Sequence, residues 1–180
     1  MLAEAGAAAG SAGGPLDAVR IAQQAGLPLP AVHVIDEVDS TNRVLMEAAW
    51  PAQPAGPMVL VARRQIAGRG RLGRTWVSGA DDSLTMSVAL ELTLARAGRR
   101  LAALPVLAGV GVAECLAGRV NGLALKWPND LQRHGRKVAG LLCESRLFGD
   151  RIRVVAGLGV NLLPDPGRLD AVGQPAGALF

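Results

Sequence analysis

The chain has 180 residues, of which half are apolar and 19% are charged. That is the length of one domain with enough apolar material for a core, and it excludes a wholly disordered chain. Net charge is +4, and five arginines without an acid between Arg63 and Arg74 leave the remainder at −1. The positive excess is therefore one local segment and not a general basic coat.

Two cysteines, Cys115 and Cys143, cannot form a disulfide framework and suggest a reduced, cytoplasmic protein. No apolar run reaches the roughly 18 residues of a membrane helix. The longest, from Leu101 to Ala113, contains Pro105. Glu4 and the absence of an early basic cluster argue against a secretory signal.

In chain order, residues 1–30 form an Ala/Gly-rich lead-in, with Ala5 to Gly14 expected to be disordered. Ala31 to Val38 alternates apolar and polar residues and predicts a strand. Asp39-Ser40-Thr41-Asn42 supplies helix-capping types, and Val44, Leu45, Ala48 and Ala49 give an apolar helical face that Pro51 and Pro54 end. Met58 to Ala62 predicts a short strand. Leu84, Met86, Val88, Leu90 and Leu92 alternate and predict a strand with one buried face. Leu101 to Arg119 predicts a mostly buried helix. Leu123 to Trp127 predicts a strand stopped by Pro128. Lys137 to Ser145 and Ile152 to Leu158 predict a hairpin turning at Phe148-Gly149-Asp150. Residues 31–163 then form one α+β domain, a mixed, mainly antiparallel sheet with helices packed on one face. Residues 164–180 form a Pro/Gly-rich tail without a clear element.

The segment Arg63-Arg64-Gln65-Ile66-Ala67-Gly68-Arg69-Gly70-Arg71-Leu72-Gly73-Arg74 contains G-x-G-x-x-G. It is not a dinucleotide fingerprint, because Thr75-Trp76-Val77-Ser78 opens no amphipathic helix. Glycines admit a ligand close to the backbone, and arginines offer bidentate donors to phosphate or carboxylate. Such a loop repels itself when empty and is expected to be mobile until an anion orders it. A solvated basic loop or a nonspecific nucleic-acid contact is the alternative.

The chain has 17 arginines but only two lysines, Lys126 and Lys137. Lys126 precedes Trp127-Pro128-Asn129-Asp130 at a strand end, where site residues are common and turn chemistry is the plainer reading. Lys137 opens the apolar strand Val138-Ala139-Gly140-Leu141-Leu142. It reads either as a site residue or as an edge-strand charge.

Five motifs together resemble the biotin protein ligase catalytic domain. They are Asp39-Ser40-Thr41-Asn42; Gln65 with Gly68 to Trp76; Lys126 to Asp130; Lys137-Val138-Ala139-Gly140; and Gly157-Leu158-Gly159-Val160-Asn161. They occur in the family's order and cover roughly residues 32–163. The resemblance implies the class II synthetase-like biotin/lipoate ligase fold. It also implies a two-step reaction in which biotin and ATP give biotinyl-5′-adenylate and a biotin carboxyl carrier domain accepts the biotinyl group.

By that resemblance, Lys137, Arg69, Arg71 and Asp130 are the catalytic candidates. Ser40, Thr41, Asn42, Gln65, Gly68, Arg69, Gly70, Arg71, Lys137, Gly140 and Gly157 would bind biotin. Arg69, Arg71, Arg74, Trp76, Lys126, Asn129, Lys137 and Asn161 would bind ATP or the adenylate. Mg²⁺ is expected with ATP, although no carboxylate cluster is evident to hold it as a protein metal site. No nucleic-acid or membrane partner is expected, and a homodimer is compatible with the reading. The family's N-terminal DNA-binding domain and C-terminal SH3-like domain have no counterpart in the motif-bearing stretch. Two rival readings remain: a lipoate or octanoate ligase of the same fold, and a non-enzymatic nucleic-acid module built on residues 63–74.

Overall fold

The computed structural model describes residues 16–49, 56–80, 82–167 and 175–180. The expected disorder of Ala5 to Gly14 and the helix-ending roles of Pro51 and Pro54 lie outside these residues.

Seven strands form one sheet: β1 (Val32–Val38), β2 (Met58–Gln65), β3 (Ser83–Thr93), β4 (Leu123–Lys126), β5 (Asp130–Arg133), β6 (Arg136–Phe148) and β7 (Arg151–Asn161). Their order is β1-β2-β3-β7-β6-β5-β4. Among these seven described strands only β1 and β2 pair in parallel; every other strand pair is antiparallel. The predicted mixed, mainly antiparallel sheet is present. Strand β5 was missed by the sequence reading. It returns from β4 and turns into β6 through His134-Gly135, both at positive φ (50° and 78°). Lys137 lies on β6, between β7 and β5, so the edge-strand reading of this lysine does not hold.

Four helices are described: α1 (Ala18–Ala25), α2 (Thr41–Glu47), α3 (Leu94–Ala97) and α4 (Leu104–Leu116). Helix α1 lies inside the stretch read as lead-in. Asp17 caps it by accepting from the Val19 and Arg20 amides, and Gly26 at φ 64° closes it.

The helices do not all pack on one face, which corrects the expectation. Helix α1 covers Val32, Val59 and Val61, and α4 covers Leu131, Ala139 and Leu141. Leu84 joins both clusters, so these two helices share a face. Helix α2 packs Leu45 and Met46 on Leu60, Ala89 and Val155. Leu60 alternates with Val59 and Val61 along β2, so α2 lies on the opposite face.

Two consequences follow for the sequence reading. Strand β3 has no solvent face near α2: its polar residues Thr85 and Ser87 are fully buried there. Helix α4 is the reverse case. It is apolar all round, yet only Gly109 is buried in it, while Val106, Leu107 and Val110 are exposed. One side sits on the sheet and nothing described covers the other.

Helix α2 spans only seven residues, too few to persist without tertiary support. Both ends are held by side chains from strands. At the start, the Thr41 amide donates to Gln65 Oε1 at 2.8 Å, and Thr41 Oγ1 lies 3.0 Å from the same oxygen. Ser40 occupies the N-cap position but makes no side-chain cap bond, so the capping function read for it belongs to Gln65. At the end, Arg153 Nη1 donates to the Met46 and Ala48 carbonyls at 2.7 Å. A cation at a helix C-terminus complements the orphan carbonyls there. The other side of this buried guanidinium meets Glu91 Oε1 at 2.7 Å.

Arg153→Met should therefore strand the end of α2 and leave the buried Glu91 with only its longer contact to Arg151 Nε, at 3.3 Å. The expected loss is about 3 kcal/mol, the scale for removing one partner of a buried pair. Urea unfolding checks this, and Arg153→Met with Glu91→Leu should recover part of the loss. A wild-type midpoint in the single variant would contradict it.

Candidate active site

The site begins with missing side chains. Gly140 on β6 and Gly159 on β7 are direct partners, and Gly157 faces Leu142 two pairs further on. These residues lie on the α2 face. A Cβ on Gly159 would land inside the Trp76 indole, and one on Gly140 would sit 3.2 Å from Trp76 Cζ3. A Cβ on Gly157 would collide with Asn42. The paired glycines thus leave a slot that the Trp76 indole fills. Its Nε1 is buried and finds no acceptor among the described residues.

Trp76 brings the Arg/Gly segment with it. The Trp76 amide donates to the Gly68 carbonyl at 2.9 Å, and the Gly70 amide to the Arg74 carbonyl at 2.7 Å. These bonds turn residues 68–76 into a flap. From it Arg69 Nη2 reaches Glu144 Oε1 at 2.7 Å, and Arg71 Nη1 donates to Asn129 Oδ1 at 3.1 Å. Both residues line the cavity beneath the flap.

Lys137 stands at the other side of the indole, its Nζ 5.9 Å from the ring centroid. It pairs with Asp130 Oδ1 at 2.7 Å, and both side chains are about five-sixths buried. The contact has ion-pair distance but lacks hydrogen-bond angles, so the ammonium keeps donors for another acceptor. The backbone of Lys137 is fixed separately. Its amide donates to the Pro175 carbonyl at 3.0 Å, and its carbonyl accepts from the Gly177 amide at 2.8 Å. The tail read as having no element therefore pairs beside β6, and its Leu179 is buried in the core.

The third wall is polar. Ser87 Oγ lies 2.7 Å from Thr41 Oγ1 and 2.6 Å from Asn42 Oδ1. Asn42 Nδ2 donates to the Leu142 carbonyl at 3.0 Å and to Glu144 Oε2 at 2.9 Å. With Gln65 Oε1 held by Thr41, the Gln65 amide is oriented with its NH₂ on the other side. Amides fixed in this way present set donors and acceptors to a ligand.

Most of these groups border one cavity of about 800 Å³, which Ser87 and Glu144 support through their bonds to Asn42 without lining it. Ser40, Thr41, Asn42, Gln65, Arg69, Gly70, Arg71, Arg74, Trp76, Lys126, Asn129, Asp130, Lys137, Gly140, Gly157 and Asn161 all line it. The exception is Gly68, which does not line this cavity and instead packs under the Trp76 backbone. Asn161 is buried, and its Nδ2 donates to the Gly177 carbonyl at 2.9 Å, so it anchors the tail as well as facing the cavity. Ser87 and Glu144 were missed. Ser87 sat in the polar register of β3 and looked solvent-facing; Glu144 sat just beyond the Lys137 to Gly140 motif. Among the described residues, no group of three or more His, Cys, Asp or Glu could hold a metal. No described helix is long and apolar enough to cross a membrane.

The fold is that of a known class of ligases. A family model described as the Biotin/lipoate A/B protein ligase family matches residues 34–161, and the chain belongs to that family. It is 38% identical over 145 residues to a biotin–[acetyl-CoA-carboxylase] ligase of Paracoccus denitrificans, covering 79% of this chain and 60% of that protein. Two solved structures superpose on it. A Leishmania major biotin protein ligase with biotin has a TM-score of 0.65 and 30% identity, over 83% of this chain and 63% of the other. An Aquifex aeolicus biotin protein ligase with biotin and ATP has 0.64 and 34%, over 83% and 59%. The chain thus spans about three-fifths of the length of these relatives.

Two predictions test the geometry. Gly159→Val should expel Trp76 from its slot and shift tryptophan emission to the red; unchanged emission would contradict the slot. Burial raises the Cys143 thiol from 9.0 to about 11, with Arg71 partly opposing, so it stays neutral at pH 8. Iodoacetamide at pH 8 should label exposed Cys115 and spare Cys143. Labelling of Cys143 should rise as pH approaches 11, and equal labelling of both cysteines at pH 8 would contradict its burial.

Proposed function

We propose that this chain joins biotin to ATP, giving biotinyl-5′-adenylate, and passes the biotinyl group to a lysine of a biotin carboxyl carrier domain. The observation that carries this reading is one shared cavity. It places the Lys137 ammonium and the Arg69 and Arg71 side chains around the same space as the Ser40–Asn42 polar wall.

The chemistry needs that arrangement. In the first step a biotin carboxylate oxygen attacks the α-phosphorus, and the bond to pyrophosphate breaks. Two anions must meet, and charge builds on the phosphoryl oxygens. Fixed cations are the remedy. Lys137, held by Asp130 with donors to spare, would bridge the carboxylate and the α-phosphate. Arg69 and Arg71 would exchange Glu144 and Asn129 for phosphate oxygens, with Arg74 and Lys126 at the rim. Mg²⁺ would enter on the nucleotide, because the described residues offer no cage for it.

The biotin ureido ring suits the polar wall. Gln65 offers its NH₂, and Ser40 and Thr41 offer hydroxyls. The glycine floor lets the flat intermediate approach the sheet beside Trp76. The flap shields the mixed anhydride from water. In the second step the acceptor amine attacks the acyl carbon, AMP leaves, and the amine loses a proton. Asp130 would accept that proton in addition to orienting Lys137. The names of the relatives support a carboxylase carrier domain as the acceptor. A nucleic-acid role fits less well, because Arg69 and Arg71 bond inward to Glu144 and Asn129.

Incubation with labelled biotin, ATP, Mg²⁺ and a carrier domain should label one lysine of the carrier. Incorporation of lipoate in place of biotin would overturn the substrate assignment. Lys137→Ala should lower biotin-dependent pyrophosphate release about a hundredfold or more without altering the fold. Unchanged release would remove Lys137 from the chemistry.

A further inference from the structure

Glu144 touches both the pocket floor and the flap, and none of the five motifs contains it. Its two carboxylate oxygens have separate tasks. Oε2 accepts from Asn42 Nδ2 at 2.9 Å, and Oε1 pairs with Arg69 Nη2 at 2.7 Å. Asn42 is itself immobilised, by the Leu142 carbonyl on one side and Ser87 on the other. Its amide therefore fixes one oxygen of Glu144, and the planar carboxylate then fixes the other. Arg69 lands on that second oxygen.

We propose that Glu144 is a positioning residue that couples Asn42 in the polar wall to Arg69 in the flap. In the empty chain its carboxylate substitutes for the ligand's anion and holds the flap down. When a nucleotide phosphate arrives, Arg69 changes partner. Ligand seated against Asn42 sets the carboxylate and, through it, the resting place of Arg69. The flap is thus tethered before the nucleotide binds, which modifies the expectation that an empty Arg/Gly loop would be loose. The identity of the ligand rests on the reading above; the tether itself does not.

Hydrogen exchange of the full chain, followed by mass spectrometry over residues 66–76, separates these statements. Arg69 is half exposed and Glu144 one-quarter exposed, so the pair is a weak lock. Glu144→Gln should speed exchange of the flap about two- to fivefold without ligand, while exchange in β3, β6 and β7 stays unchanged. Arg69→Gln, a surface change that threatens no fold, should give the same acceleration. The double variant should add nothing further. Biotin alone should slow flap exchange in the wild type and not in Glu144→Gln. Equal flap exchange in the wild type and both single variants, or additive effects in the double variant, would overturn the tether. A tether confirmed without ligand but with no response to biotin in the wild type would overturn the coupling to biotin and the substrate assignment, and leave the tether standing.

Discussion

A bare patch of β-sheet governs the site. Gly140 and Gly159 face each other across two central strands, and no residue with a Cβ could stand at Gly159 while Trp76 keeps its place. The slot receives an indole, the indole carries the flap, and the flap carries the arginines. Lys137 stands at the margin of the same slot, three residues before Gly140. Backbone pairing therefore fixes Lys137 relative to the slot, to a precision that loops alone would not give.

Around that slot the molecule uses polar side chains as structural ties. Gln65 starts α2 and Arg153 ends it. Asn129 bonds the Leu141 carbonyl and accepts from Arg71. Asp130 pairs with Lys137, and Glu144 with Arg69. Groups that would meet a ligand are thus held by a second polar side chain. Such support keeps donors aimed before the ligand arrives and reduces reorganisation during reaction.

The motifs were legible because their residue types break local pattern. A lysine opening an apolar strand, five arginines among glycines and a Lys-Trp-Pro-Asn-Asp strand end are each costly unless used. The sheet was legible from alternation in β1 and β3, and from two apolar stretches joined by a turn in β6 and β7. The misread parts share one physical origin, which is that neighbours distant in sequence decide burial. Thr85 and Ser87 alternate like a solvent face, yet both are fully buried, Ser87 against α2. Helix α4 looks like a core helix, yet only one side meets the sheet. The tail carries no periodicity, because its place comes from backbone bonds to Lys137 and from one buried leucine, Leu179. Glu144 looks like an ordinary strand charge until Asn42 and Arg69, both far away in the chain, converge on it.

The central claim is that one ammonium group, set beside a tryptophan on a glycine floor, joins two anionic substrates. A crystal structure of this chain with biotin and a non-hydrolysable ATP analogue tests it most directly. The account predicts Lys137 Nζ within hydrogen-bond reach of both the biotin carboxylate and the α-phosphate, with Trp76 still against Gly159. Either anion lying beyond the reach of Lys137, with the cavity filled, would contradict it.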